Sequence, residues 1–189
     1  MSTEIERRFL LTDKEPVGFD PNTGAYLLPV EEIEQGFLEF DPTIRIRHSK
    51  YHVSKFRVED TYELTVKEAV YKLSREEYNI KLTKSQYESL KKDVKGIMVK
   101  KIRVHFGKAN LTLDYHIGPM KDLFDDYAEI EFKTEEEAKA FNASENDLLG
   151  EEITGRQVKT YRSICEGIWK YEKAKKEKES YERSASAFE

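Results

Sequence analysis

Charged side chains of like sign recur at two-residue spacing in this chain. The pairs are Glu4 and Glu6, Arg45 and Arg47, Lys101 and Arg103, and Glu129 and Glu131. Because side chains alternate between the two faces of a β-strand, each pair is expected on one face of its strand. Like charges at this distance repel each other, so the pairs favour an arrangement in which acidic and basic strands face one another.

Carboxylates that face cationic side chains are suited to binding a metal ion together with a polyphosphate. Divalent cations prefer oxygen ligands and often bind one or two carboxylates plus phosphate oxygens. The candidate carboxylates, which we also take as the catalytic set, are Glu4, Glu6, Glu129 and Glu131. Arginine grips phosphate oxygens in pairs and lysine offers a point charge. The candidates for holding the phosphates are Arg8, Arg45, Arg47, Lys67, Arg75, Lys101 and Arg103.

The elements that must position these residues are predicted to be β-strands. The first covers residues 4–11, with Glu4, Glu6 and Arg8 on one face and apolar residues such as Phe9 on the other. The same alternation recurs in the segments 43–47, 64–67, 75–82, 101–104, 111–114 and 128–132. Two arrangements fit this pattern. Either each charged face is the solvated side of an antiparallel sheet, or the sheet closes into a barrel with the charged faces inward.

The motifs in these segments resemble those of the CYTH family, the triphosphate tunnel metalloenzymes. They are E-I-E-R-R-F, T-I-R-I-R, L-T-V-K, S-R-E-E-Y, K-K-I-R, L-T-L-D, A-E-I-E-F and L-G-E-E-I-T, in this order from Glu4 to Thr154. The resemblance implies an α+β fold, namely a closed eight-stranded antiparallel β-barrel or tunnel with a charged lumen and helices packed outside.

The resemblance also implies a site. Mg²⁺ or Mn²⁺ is the implied cofactor, and its implied ligands are Glu4, Glu6, Glu77, Asp114, Glu129 and Glu131. The residues that match the family's triphosphate-binding positions are Arg45, Arg47, Lys67, Lys101 and Arg103.

Three positions depart from the family's pattern. Arg8 stands where a lysine is usual, and Asn79 stands where the second acid of an R-x-E-x-E motif is expected. The segment 156–159, R-Q-V-K, replaces the usual D-x-x-Y. These departures predict either weaker catalysis or catalysis directed at another substrate.

Three helices are expected outside the strands. The first begins after Thr83 with a T-x-x-Q capping box, and the second begins after Thr134 with acidic residues in its first turn. The third covers residues 159–183, and its apolar stripe comprises Tyr161, Ile164, Cys165, Ile168 and Trp169. We assign residues 1–170 to a single CYTH-like domain and 171–189 to a charged helical extension with a frayed tail. Residues 12–31 are interpreted as a long loop.

The composition excludes several classes of function. The chain of 189 residues is 38% hydrophobic, 37% charged and 12% aromatic, which is typical of a soluble globular protein. A net charge of -5 disfavours a nucleic-acid partner. No stretch approaches the roughly 20 apolar residues of a membrane span. The single cysteine, Cys165, excludes an intrachain disulfide and a thiolate zinc cluster, and we expect a cytoplasmic protein.

The expected function is metal-dependent hydrolysis of a triphosphate-containing small molecule, first of all inorganic triphosphate to phosphate and pyrophosphate. Two alternatives remain open at this point. One is a class IV type adenylyl cyclase, which the same scaffold hosts, and the other is a module that binds polyphosphate or a nucleotide without turnover. A cyclase must also hold the base and the ribose, and the sequence shows no signature of such contacts.

Overall fold

The computed structural model describes residues 2–12, 19–20, 25–54, 57–67, 74–106, 110–156 and 160–186. Within them the strands are β1 (Ser2–Leu11), β2 (Phe19–Asp20), β3 (Ala25–Tyr26), β4 (Val30–Glu39), β5 (Thr43–Ser54), β6 (Arg57–Lys67), β7 (Ser74–Lys81), β8 (Lys95–Phe106), β9 (Leu111–His116), β10 (Tyr127–Glu131) and β11 (Leu149–Glu152). The α-helices are α1 (Lys84–Leu90), α2 (Glu135–Ala140) and α3 (Tyr161–Ser186). Short 3-10 helices cover Lys91–Asp93, Gly118–Asp122 and Ala143–Glu145.

Nine strands form one large antiparallel sheet, in the order β10-β9-β8-β4-β5-β6-β7-β1-β11. Strand β1 also pairs with β10, which places Glu6 opposite Glu131 and Arg8 opposite Glu129. The expected α+β fold with a large antiparallel sheet is confirmed. The sheet has nine strands rather than the expected eight, because β11 pairs along β1, and the expected closed barrel is not confirmed. The small strands β2 and β3 pair with each other.

The alternation predicted for β1 holds in the packing. Phe9 is buried in an apolar cluster with Val104, Leu113 and Ile130 from β8, β9 and β10. The chain after β10, including Phe141, packs against the same cluster. One face of these strands is therefore the core, and the charged residues occupy the other.

A second apolar cluster joins the sheet to the first half of α3. Phe37, Phe40 and Val99 from the sheet side pack with Cys165, and Trp169 packs against this group. The helix approaches β8 very closely at Gly96, since a Cβ at this residue would lie 2.4 Å from the carbonyl oxygen of Cys165. Gly96 also has φ of +77°, a conformation that favours glycine. The predicted apolar stripe of α3 thus packs on the sheet.

The helix starts follow the predicted caps. Thr83 accepts the Gln86 backbone N–H at 3.2 Å, and the Gln86 side chain accepts the Thr83 backbone N–H at 2.8 Å, which completes the capping box of α1. Thr134 caps α2 by accepting the Glu137 N–H at 3.1 Å. None of the described helices has both the length and the apolar character that a membrane span requires.

Several predicted boundaries differ from the structure. Strand β4 begins at Val30 and so takes in the end of the predicted loop 12–31. The rest of that loop lies partly in β2 and β3 and partly outside the described residues. Helix α3 runs through residue 170 without a break, and the division of the chain at that residue stays a prediction.

Candidate functional site

The charged residues of the sequence motifs lie at alternate positions of β1 and β4–β10, on the face opposite the first apolar cluster. We call this surface the polar face. The strand register places Lys67 opposite Glu77 and Arg103 opposite Asp114. At these two positions opposite charges stand next to each other across strands, which offsets part of the repulsion between like charges along each strand.

Asp114 is the most deeply buried carboxylate of the polar face, with a side chain that is 0% exposed. Arg103 donates to its two oxygens from Nε at 2.7 Å and from Nη2 at 2.8 Å, and Lys101 donates to it as well. Arg103 also donates to Glu129. Burial would raise the pKa of Asp114, but the charges of Arg103 and Lys101 outweigh it and hold the pKa below its usual range. Asp114 is therefore ionised and holds both Arg103 and Lys101, although burial lowers the pKa of Lys101 to about 7.

Arg8 lies between a carboxylate of β1 and one of β10. Its Nη2 is 2.8 Å from Glu6 and its Nε is 2.9 Å from Glu129, although the Nε contact is an ion pair without hydrogen-bond geometry. Burial would lower the pKa of Arg8, but the charges of Glu6 and Glu129 raise it well above its usual value. Arginine in place of the expected lysine thus keeps a cation between these two acids.

Lys67 holds two further carboxylates. It donates to the oxygens of Glu4 at 2.8 and 3.1 Å and forms an ion pair with Glu77. Asn79 donates to Glu77 at 2.7 Å and accepts from the Thr65 hydroxyl at 2.8 Å. The amide of Asn79 therefore orients Glu77. An ionised acid in place of Asn79 would instead repel Glu77.

Arg45 and Arg47 form no ion pair with any residue that the structure describes. Arg45 donates to the Thr65 hydroxyl at 3.3 Å, and its buried Nε has no hydrogen-bond partner. Arg47 donates to the amide oxygen of Gln35 at 3.2 and 3.3 Å. Burial and the neighbouring charge of Arg47 lower the pKa of Arg45 to about 10. Two adjacent guanidiniums with unused donors are suited to an anion.

Glu131 belongs to a group of acids that includes Glu4, Glu6 and Glu129. Glu131 reaches solvent at the end of β10, and its partial desolvation and the charges of Glu4 and Glu129 raise its pKa. The described residues contain no three His, Cys, Asp or Glu side chains arranged to hold a metal ion. Mg²⁺ nevertheless binds typically through one or two carboxylates together with substrate phosphates. The mutual repulsion and the oxygen donors of this group fit a hard divalent cation that phosphate helps to bind.

The structure brings nearly all of the predicted site residues together on the polar face. The exception is Arg75, of which only the backbone is described. It lies in β7 opposite Glu4, and the predicted contacts of its side chain lie outside the described part of the chain. The metal and phosphate roles of the individual residues stay predictions.

Sequence reasoning missed several members of the polar face on β4 and β6, namely Glu31, Gln35 and Thr65. Glu31 contacts His105 at 3.3 Å. Burial would raise its pKa, but hydrogen bonds from His105 and Ser49 and the charge of Arg47 lower it to about 2. Glu31 and Gln35 are separated by an even number of residues, which places them on the same face of a strand. This spacing could have identified them only if the strand were known to start at Val30, but the segment before it is rich in proline and glycine and predicts a loop.

Comparisons with known proteins found one family model and similar solved structures. The model of the CYTH domain matches residues 2–162. The solved structure of the inorganic triphosphatase NE1496 is similar, with 26% sequence identity and a TM-score of 0.54 over 87% of this chain and 95% of that chain. A structure described as the hypothetical protein NE1496 has 24% identity and a TM-score of 0.52, over 86% of this chain and 96% of that one, and shows the fold alone. No curated protein matches the chain.

Proposed function

Because the chain belongs to the CYTH domain family, we propose that it is a divalent-metal-dependent hydrolase of a triphosphate and that inorganic triphosphate is its substrate. The similar inorganic triphosphatase supports the substrate class. The inventory of charges on the polar face supports the same class, because a triphosphate needs several cationic side chains and a metal ion to neutralise it.

In this proposal the polar face is the inside of a tunnel. The additional pairing of β1 with β10 supports a ring made of the eight strands from β10 to β1, with β11 added beside β1. Burial supports the inward direction, since the side chains of Lys101 and Asp114 are 1% and 0% exposed. Charged side chains on a solvated sheet face would be largely exposed.

The observation that carries the proposal is the state of Arg45 and Arg47. Both guanidiniums lie on the polar face without a carboxylate partner among the described residues, and Arg45 has a buried Nε without any hydrogen bond. An uncompensated buried charge lowers stability. A phosphate chain supplies the missing negative charge and the acceptors, so we assign it to these two arginines first.

The remaining cations extend this binding site. Lys67, Lys101, Arg103 and Arg8 already hold carboxylates, and these pairs keep the cations in fixed positions. Glu4 and Glu6 are the carboxylates that we propose to hold Mg²⁺ or Mn²⁺ together with phosphate oxygens, and Glu131, which the predicted ligand set also contains, lies beside them. Such an ion, when bound, neutralises charge on the phosphates. The wider predicted ligand set also includes Glu77, Asp114 and Glu129.

The reaction is attack of a water oxygen on the terminal phosphorus. The new P–O bond forms as the bond to the bridging oxygen breaks, so that phosphate and pyrophosphate leave and the proton of the water passes to a base. We propose Glu131 as this base. Its pKa is raised by burial and by neighbouring acids, whereas Glu129 and Glu77 are already held by Arg8 and Lys67. A carboxyl with a raised pKa accepts a proton more readily.

Product analysis tests the proposal. The protein is incubated with Mg²⁺ or Mn²⁺ and, in turn, with tripolyphosphate, ATP and thiamine triphosphate. We expect phosphate and pyrophosphate from tripolyphosphate at a higher kcat/KM than from the organic substrates. Cyclic AMP and pyrophosphate from ATP, with tripolyphosphate untouched, would show a cyclase. Thermal protection without any product would show a binding module.

A further inference from the structure

A row of buried polar side chains leads from the polar face to the start of α3. It begins at Lys101, which faces His116 across the β8–β9 pairing. The side chain of His116 is 0% exposed, and Tyr161 is the first residue of α3. Buried polar groups lower stability unless they are hydrogen-bonded. The hydrogen-bond partners of each group therefore indicate which residues hold each other in place.

Asp126 sets the direction of the hydrogen bonds. One of its carboxylate oxygens lies 2.9 Å from His116 Nδ1 and accepts the His116 backbone N–H at 2.7 Å. A carboxylate accepts, so Nδ1 carries a proton, and in the tautomer with a proton on Nδ1 alone Nε2 is left as an acceptor. The Tyr161 hydroxyl, 2.7 Å from Nε2, is then the donor.

The Tyr161 ring packs against the Tyr127 ring, with 5.7 Å between the ring centres and 55° between the ring planes. Burial raises the pKa of Tyr161. The Tyr127 oxygen accepts from Lys101 Nζ at 3.4 Å. Tyr161 therefore connects the Lys101 and Tyr127 side chains to His116 and Asp126.

The ammonium of Lys101 is enclosed by the same residues. Its Nζ lies 5.0 Å from the centre of the Tyr161 ring and 5.5 Å from that of Tyr127. Cations are attracted to aromatic faces at such distances. Asp114 holds the ammonium from a third direction. The position of this flexible side chain is therefore determined by two rings, a hydroxyl and a carboxylate.

We infer that Tyr161 is a positioning residue for Lys101, and that His116 and Asp126 orient its hydroxyl for this purpose. The inference rests on the proposed function, in which Lys101 binds the triphosphate. An ammonium that is held in place beforehand stabilises the charge that develops on the phosphates in the transition state without having to reorganise. The first turn of α3 thereby contributes to the site without touching the substrate.

Tyr161→Phe tests this role, because it removes the hydroxyl and keeps the ring and its packing. We expect a folded protein whose kcat for tripolyphosphate falls about 10-fold while KM stays within about twofold, since misplacement of a charge is felt mainly in the transition state. Tyr171→Phe is the matched control on the same helix, because Tyr171 is exposed and contacts neither cluster. It should leave kcat and KM unchanged.

A double-mutant cycle separates positioning from packing. If Tyr161 acts through Lys101, Tyr161→Phe should cause no further loss in a Lys101→Met background. Losses that multiply in the double variant, or a wild-type kcat in Tyr161→Phe, would overturn the inference.

The ¹⁵N resonance of the Lys101 ammonium gives a readout that needs no substrate. We expect Tyr161→Phe to shift or broaden it and Tyr171→Phe to leave it unchanged. An unaffected resonance in Tyr161→Phe would refute the positioning role. A wild type that hydrolyses no triphosphate would refute the proposed function instead, and this signal would still decide the role of Tyr161.

Discussion

Individual residues of the polar face differ in how their charge is compensated. Lys67, Lys101 and Arg103 each have at least one carboxylate partner, whereas Arg45 and Arg47 have none among the described residues. Removing one member of a buried pair usually destabilises a protein, but removing an uncompensated charge does not. The two groups of cations should therefore respond oppositely to substitution.

Arg45→Met tests this difference. The ligand-free variant should be more stable than wild type by about 1 kcal/mol in free energy of unfolding, because a charge that burial and Arg47 disfavour is removed. Its affinity for tripolyphosphate should fall by about 10-fold or more. Urea unfolding and titration calorimetry measure the two effects. Arg183→Met, at an exposed position of α3, is the control and should change neither. A destabilised variant with unchanged affinity would contradict the anion site.

Glu31 gives a prediction for pH. Its pKa of about 2 lies below the roughly 4.3 of a free glutamate. A depressed pKa in the folded state means that the ionised form stabilises the fold above about pH 4.3, and that this contribution is lost as the pH falls towards 2. Glu31→Gln should therefore cost about 2 to 3 kcal/mol at neutral pH and about half as much at about pH 3.

Urea unfolding of wild type and Glu31→Gln at both pH values checks this expectation. Glu136→Gln, at an exposed position of α2, should leave the curves unchanged at either pH. An equal difference at both pH values would show that Glu31 acts by shape rather than by charge.

At the scale of elements, the contact between β8 and α3 depends on one glycine. Gly96→Ala introduces a Cβ against the Cys165 backbone at φ of +77°, and backbone cannot rotate away as a side chain does. We expect a loss of about 2 to 4 kcal/mol in free energy of unfolding. Chemical denaturation measures the loss, and hydrogen exchange should rise first in the initial turns of α3.

Gly118→Ala is the matched control, since Gly118 also has a positive φ of 60° but nothing lies within 4 Å of its added Cβ. It should cost only about 1 kcal/mol, the strain of the backbone itself. Equal losses in the two variants would mean that the close approach of α3 to β8 contributes nothing.

Elements with a local signal could be predicted from the sequence, and those defined by distant partners could not. Thr83 starts α1 as predicted because a capping box lies within four residues. β11 was missed because its four residues, L-G-E-E, show no apolar alternation, and it exists through its pairing with β1. The same limit applies to the site. The charges of Arg45 and Lys67 were evident from the sequence. That Lys67 has carboxylate partners and Arg45 has none among the described residues follows from strand register, which the sequence does not show.

At the scale of the whole molecule, repulsion within the polar face should make stability depend on ligands. Mg²⁺ and tripolyphosphate together should raise the melting temperature by about 5 to 10 °C at about 100 times the dissociation constant. Mg²⁺ or tripolyphosphate alone should raise the melting temperature less. The phosphates bind tightly only when a cation offsets the acids near Glu131, and the cation binds tightly only when phosphate oxygens complete its ligands. Scanning calorimetry measures the shifts, and sodium chloride of equal ionic strength is the control. An unchanged melting temperature with both ligands at millimolar concentration would refute the inward direction of the polar face.

The pairing of β1 also determines the order in which the chain can fold. Glu4 pairs with Arg75, Glu6 with Glu131 and Phe9 with Glu152, so every partner of the first strand is synthesised long after it. By contrast, β4, β5 and β6 meet neighbours that follow at once. Loop-closure entropy makes contacts of such long range slow to form. The nascent chain must therefore carry β1, with its apolar face exposed, until β10 has emerged from the ribosome. A circular permutant that places β1 directly after β11 would reduce the sequence separation between β1 and its partners β10 and β11. We expect it to refold faster than the wild type, and refolding kinetics measure the difference in rate.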